Sequence, residues 1–138
     1  MTFAGVNYAA VVIAALAGFG LGAVWYMVLG RAWLRAMGKT AAELSPGTGP
    51  AKAMPFIVSI VALLVMAWML AGIMGHLGDV TVKGGVITGA LVWLGFVITT
   101  MGVNHAFGQA KPMLTLIDGG HWLAVLLIQG AVIGAFGL

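Results

Sequence analysis

Four long runs of apolar residues, separated by short polar segments, dominate the pattern of hydrophobic and polar positions along the chain. The runs extend over residues 7–29, 55–74, 84–107 and 113–136. As α-helices rising about 1.5 Å per residue, runs of roughly 20 residues or more are long enough to cross a hydrocarbon core of about 30 Å. Polar and apolar positions do not alternate within them as they do in the strands of a membrane barrel. The pattern therefore predicts four transmembrane helices.

The composition agrees with lipid as the surrounding solvent. Of 138 residues, 62% are hydrophobic and only 7% are charged, whereas charged residues make up about a quarter of a soluble domain. So few charged side chains cannot cover the surface that a soluble protein of this length exposes to water. We therefore expect an all-α integral membrane protein, with residues 1–138 forming a single membrane domain built as a compact bundle of four transmembrane helices.

The basic residues predict the orientation of the bundle, because cytoplasmic loops of membrane proteins accumulate lysine and arginine. Four basic residues lie in the loop 30–54, one lies between the last two runs, and only one lies on the opposite side: Arg31, Arg35, Lys39, Lys52, Lys111 and Lys83. This distribution places both termini outside the cytoplasm. It also accounts for the net charge of +3 without a nucleic-acid partner, so we expect no nucleic acid.

The start of the cytoplasmic loop is predicted to be a short interfacial helix over residues 30–39. Its basic residues recur at every fourth position, as expected of a helix that lies in the headgroup layer. Aromatic residues gather at the same membrane boundary, where such rings are enriched. The predicted interfacial anchors are Trp25, Tyr26, Arg31, Trp33, Arg35 and Trp122.

Small residues at helical spacing predict where the helices meet, since association within lipid depends on close backbone approach. The predicted packing positions are Ala14, Gly18, Gly22, Gly85, Gly89, Gly130 and Gly134. Such positions on several helices exceed what one small bundle needs for its own interior. We therefore expect a homo-oligomer or a subunit of a larger membrane complex.

Polar residues within the last two runs form the candidate site, because such residues are costly in a membrane and often functional. The candidates are Asn104, His105, Asp118, His121 and Gln129. If the two runs form a hairpin, the first four converge near the cytoplasmic boundary. Helical spacing also places Trp93 and Thr100 on the face of Asn104. The cluster has two interpretations: a proton or ion relay or small ligand pocket, or hydrogen bonds that hold the bundle together.

No catalytic motif and no metal or cofactor motif is recognisable. The chain has no cysteine, and two histidines with one carboxylate would be a minimal metal site. We expect no enzymatic activity, no cofactor and no metal.

Several residues together carry a family resemblance: Asn7, the small residues up to Gly22, Trp25, Tyr26, Gly30, Trp33, the polar loop 40–44, Gly89, the segment 93–96, Thr99, Asn104 and Gly119. The chain resembles the bacterial four-span membrane family known as domain of unknown function seventeen sixty-one. The resemblance covers nearly the whole chain. It implies a multi-pass protein of the bacterial cytoplasmic membrane, and it implies no activity.

Two functional hypotheses follow. The first is a non-enzymatic membrane module that assembles with itself or serves as an accessory subunit of a membrane complex. The alternative is a small transporter or proton-coupled channel that uses the polar cluster.

The orientation can be tested with single cysteines at Thr2 and Gly137, because the chain contains no other cysteine. We expect an impermeant thiol reagent to label both in intact cells, and to label a cysteine at Ser45, in the loop, only after the membrane is opened. Labelling of the two termini only from the cytoplasm would refute the predicted orientation.

Overall fold

Four helices account for the four predicted spans in the computed structural model, which describes residues 5–45 and 47–137. We number them α1 (Tyr8–Met37), α2 (Pro50–Leu77), α3 (Val82–Phe107) and α4 (Pro112–Phe136). Each is long and apolar enough to cross a membrane. The prediction of an all-α, four-span membrane protein is confirmed, although position 2, chosen above for labelling, lies outside the described residues.

Local capping explains where the helices begin and end. The side chains of Asn7 and Thr81 each accept a hydrogen bond from a backbone N–H in the first turn of α1 and α3, respectively, which satisfies a donor that the helix itself leaves free. Gly38 and Gly78 follow α1 and α2 in the left-handed conformation, which glycine adopts without steric cost.

The segment predicted as a separate interfacial helix, 30–39, is helical to Met37 but continues α1 without a break. Gly30 lies inside the helix, and a glycine there costs only about 1 kcal/mol. Tyr26 and Trp33, two turns apart on α1, pack edge to face with 5.5 Å between their ring centroids. This contact extends across the predicted boundary and supports one continuous helix. After it, Thr40 and Glu43 exchange the hydrogen bonds of a capping box around a turn.

The helices run alternately up and down, with α4 at the centre. We call the end with segments 38–45, 47–49 and 108–111 the loop end, and the opposite end, which holds the α2–α3 turn, the terminal end. Helix α4 packs along both α1 and α3 and also contacts α2. Between α1 and α3 no two Cα atoms of the described residues lie within 8 Å of each other. Helix α4 therefore lies between the backbones of these two helices.

The α3–α4 crossing is a contact between backbones near the terminal end. A β-carbon added to Gly85 would overlap the carbonyl of Gly130, and one added to Gly89 would meet the carbonyl of Leu126. Only glycine permits this approach. Around the crossing lies the main core, whose fully buried side chains include Ala14, Ala67, Leu70, Met74 and Ile133.

The bundle opens toward the loop end. Residues 50–58 of α2 are all exposed, and the part of α3 from Trp93 onward contains no buried residue. Packing within the chain is therefore concentrated at the terminal end, while two half-helices at the loop end present their surfaces outward.

Helix α3 contains a π-helical turn over Trp93–Val97. The N–H of Ile98 bonds to the carbonyl of Trp93, five residues earlier. Two threonine hydroxyls then donate to carbonyls within the turn: Thr99 to Gly95 at 2.9 Å and Thr100 to Phe96 at 2.6 Å. These bonds satisfy backbone acceptors that lipid could not.

The glycine crossing predicts a position-dependent response to alanine. We expect Gly85→Ala to destabilise the protein by about 2–4 kcal/mol, since its β-carbon would force α3 away from α4. The matched control is Gly20→Ala, whose β-carbon meets nothing within 4 Å and which favours the helix by up to about 1 kcal/mol. Thermal unfolding in mild detergent measures both. Equal melting temperatures for the two variants would contradict the crossing.

Candidate functional site

Asp118 lies on the side of α4 that faces α1, where the Tyr26 hydroxyl donates a hydrogen bond to its Oδ1 at 2.6 Å. Both residues are partly buried. The bond joins two helices at the loop-end half of the bundle and supplies the carboxylate with a donor in a region where water is scarce. At 2.6 Å the bond is short for a hydrogen bond between two oxygen atoms.

Two tryptophans donate hydrogen bonds to α4 from opposite sides, at the same position along the helix. The Trp25 indole N–H of α1 donates to the carbonyl of Ile117 at 3.1 Å, and the Trp93 N–H of α3 donates to the carbonyl of Gly119 at 2.8 Å. Gly120 lies against the Trp25 ring, which a β-carbon at position 120 would approach to 3.0 Å. The paired glycines 119 and 120 therefore make room for the neighbouring side chains.

His121, one turn beyond Ile117, is 7% exposed and packed among aromatic rings. Its ring centroid lies 4.5 Å from that of Trp122 and 5.0 Å from that of Tyr26. Its Nε2 faces Gly22 of α1, where a β-carbon would come within 2.9 Å. Its Nδ1 is buried and has no hydrogen-bond partner among the described residues.

Gln129 shares this side of α4 but lies deeper, and it is fully buried. Its Nε2 donates to the carbonyl of Leu63 on α2 at 3.1 Å, and its Oε1 is unpartnered within the described chain. Gln129 therefore ties α4 to α2.

The structure does not bring Asn104, His105, Asp118 and His121 together as predicted. These residues lie on different faces of α3 and α4. Asp118 and His121 face α1. On the α3 side of α4, His105 Nδ1 pairs with the Thr115 hydroxyl at 2.7 Å. Asn104 is exposed on the outside of α3. A similar predicted depth does not determine which face of α4 each residue meets.

The predicted common face of Trp93, Thr100 and Asn104 is also corrected. Trp93 contacts α4, whereas Thr100 and Asn104 are exposed. The π-helical turn between them accommodates about one extra residue, which rotates the following positions by roughly 100° relative to a regular helix.

The residues predicted as interfacial anchors divide into two groups. Trp25 and Tyr26 bond to α4, and Trp122 packs beside His121, whereas Arg31 and Arg35 are exposed. Sequence reasoning overlooked Trp93 as a site residue. Its position in the middle of a predicted span could have identified it, since an indole N–H there needs a hydrogen-bond acceptor from the protein.

The sequence profile of the family described as "Protein of unknown function (DUF1761)" matches residues 9–134. The chain belongs to this family. No curated protein and no solved structure matches it significantly. Four residues on which the family resemblance rested, Trp25, Tyr26, Trp93 and Gly119, meet around one turn of α4.

In this family member, two cavities lie beside α4 at the loop-end half. One, of about 470 Å³, lies between α1, α2 and α4 and is lined by residues that include Ser59 and His121. The other, of about 630 Å³, lies between α3 and α4 beside the His105–Thr115 pair. Within residues 5–45 and 47–137, no three side chains of the metal-binding types come together.

The Tyr26–Asp118 bond predicts a measurable contribution to stability. Removing the hydroxyl in Tyr26→Phe leaves the carboxylate without this donor, and we expect a loss of about 1 kcal/mol, near the upper range for hydrogen bonds within membranes. Tyr8→Phe is the matched control, since Tyr8 is 62% exposed. Unfolding measured in the same detergent should separate the two variants, and an unchanged stability of Tyr26→Phe would show that the bond contributes nothing.

Proposed function

We propose that this protein is a non-enzymatic module of the bacterial cytoplasmic membrane, with both termini outside the cytoplasm, and that it assembles with itself through the loop-end half of α3. The observation that carries the proposal is an exposed polar residue, Asn104, on a helix face that no other part of the described chain covers.

That face has the geometry of a helix-packing surface. Thr100, Val103, Asn104 and Phe107 are spaced three, one and three residues apart, which places them on one side of a helix. All four are exposed, with Phe107 at 88%. We call these four residues the α3 seam. A surface made only for lipid has no need of an asparagine, whereas amides between membrane helices contribute to association.

Asn104 also favours a second copy of the chain as the partner. An asparagine amide has both donor and acceptor groups, so two copies related by a two-fold axis can satisfy each other, as a self-complementary interface requires. The α3 seam has no charged side chain, and two seams can therefore approach without like-charge repulsion.

The small residues that first suggested assembly have a different role. Those at positions 18 and 22 face α2 and α4, those at 85 and 89 face α4, and those at 130 and 134 face α3 and the residues before it. They pack the helices of one chain together. The argument for self-assembly therefore rests on the α3 seam and not on these residues.

Three of the other polar side chains form hydrogen bonds that support a structural role. Asp118, Gln129 and His105 each form a hydrogen bond to another helix. The cavity beside His121 is lined in part by Leu63, which packs in a hydrophobic cluster with Ala15 and Val125 and whose carbonyl accepts the Gln129 hydrogen bond. A hydrophobic cluster is poorly suited to conducting ions or protons, and this favours a structural module over a transporter.

Mass determination in lipid nanodiscs or mild detergent, over a range of protein concentrations, tests the proposal. We expect a homodimer whose dissociation constant rises about three- to tenfold in Asn104→Leu, the range expected for one hydrogen bond within a membrane. Thr99→Leu is the control, because Thr99 is exposed on α3 outside the seam.

Three results would contradict self-assembly through the seam. They are a monomer at every concentration, an equal effect of Thr99→Leu and Asn104→Leu, and isolation of the chain in fixed stoichiometry with a different protein. The last would instead establish an accessory subunit. Melting temperatures of both variants show whether a change in mass reflects lost association or lost folding.

A further inference from the structure

The cavity between α1, α2 and α4, which we call the lateral cavity, has features of a ligand site that the assembly proposal does not use. It measures about 470 Å³, within the range of small-molecule pockets. Its walls include Gly22, Tyr26, Phe56, Ser59, His121 and Trp122.

The lateral cavity opens sideways, where the exposed first part of α2 separates from the bundle. Met27 and Phe56 line it and are themselves 82% and 62% exposed. They lie on helices that are long and apolar enough to cross a membrane, and we infer that their exposed surfaces face the bilayer. A molecule that enters here comes from the lipid phase. The lining residues include no lysine, arginine, aspartate or glutamate, and an uncharged molecule is therefore favoured.

Aromatic rings form much of the wall. Phe19 of α1 and Phe56 of α2 meet edge to face with 6.4 Å between ring centroids, and Tyr26 and Trp122 line the same space. Rings in these arrangements favour a flat, unsaturated guest over a flexible saturated chain.

Two polar groups on different walls can donate hydrogen bonds to such a guest. Ser59 on α2 forms no side-chain hydrogen bond with the described residues, and neither nitrogen of His121 on α4 does. Nδ1 of His121 is buried, and an unpaired buried N–H is rarer than an unpaired acceptor. This favours the tautomer with the proton on Nε2, the nitrogen beside Gly22, which also lines the cavity.

We propose that the lateral cavity binds an uncharged, lipid-soluble ring compound that carries carbonyl oxygens, the chemistry of a quinone. The aromatic walls hold the ring, Ser59 Oγ and His121 Nε2 donate to its oxygens, and its hydrocarbon tail leaves between α1 and α2 into the bilayer. This site does not depend on self-assembly, and a monomer would contain it complete.

The test is quenching of tryptophan fluorescence by decylubiquinone, titrated into the full-length protein in nanodiscs. We expect saturable quenching with one quinone bound per chain. Ser59→Ala and His121→Phe should each weaken binding about three- to tenfold, since each removes one donor. The matched control is His105→Phe, which removes the histidine beside the other cavity and should leave the affinity unchanged.

Two results would overturn the proposal. Quenching that rises linearly without saturation, equally in all variants, would mean that the quinone only dissolves in the bilayer. Displacement of the quinone by palmitate at equal concentration would mean that the cavity accepts any lipid chain. Because His121 is also packed among aromatic rings, the melting temperature of each variant is measured in parallel, and Ser59→Ala alone suffices if His121→Phe does not fold.

Discussion

The close approach of α3 and α1 to α4, by backbone contact with α3 and through small residues on α1, is the constraint on which the other interactions depend. At Gly85 and Gly130 the main chains of α3 and α4 touch, and α1 approaches α4 through Gly18 and Gly22. Within lipid no hydrophobic force draws helices together, so association requires this close approach. Once α4 lies this near to α1 and α3, the Trp25 and Trp93 indoles can reach its carbonyls. With larger residues at the crossings, these N–H groups would lose their acceptors.

The central position of α4 separates the polar residues around it into two groups. Because α4 packs along both α1 and α3, its polar residues lie in two separate environments. Asp118 and His121 face an aromatic surface on α1, while Thr115 faces His105 of α3. Each side also has its own cavity. A single chain can therefore hold a ligand beside α1 and a partner on the outer face of α3 without the two competing for the same surface.

Packing is tight at one end of the bundle and open at the other, and both proposed binding surfaces lie at the open end. Tight glycine crossings concentrate the core at the terminal end, and the first part of α2 and the second part of α3 separate at the loop end. Separation of α2 opens the lateral cavity to the bilayer. Separation of α3, together with the rotation introduced by the turn Trp93–Val97, turns Thr100 and Asn104 outward.

The sequence by itself determined the four spans, because twenty or more consecutive apolar residues have no stable alternative to a helix in lipid. It also identified small residues that lie at the helix contacts and placed Asp118 and His121 within a span. Only the tertiary structure decided which polar residues meet. That outcome depends on the rotation of each helix about its axis, on the π-helical turn in α3, and on the order in which the helices pack. A periodic pattern specifies the faces of a helix but not the neighbour that each face contacts.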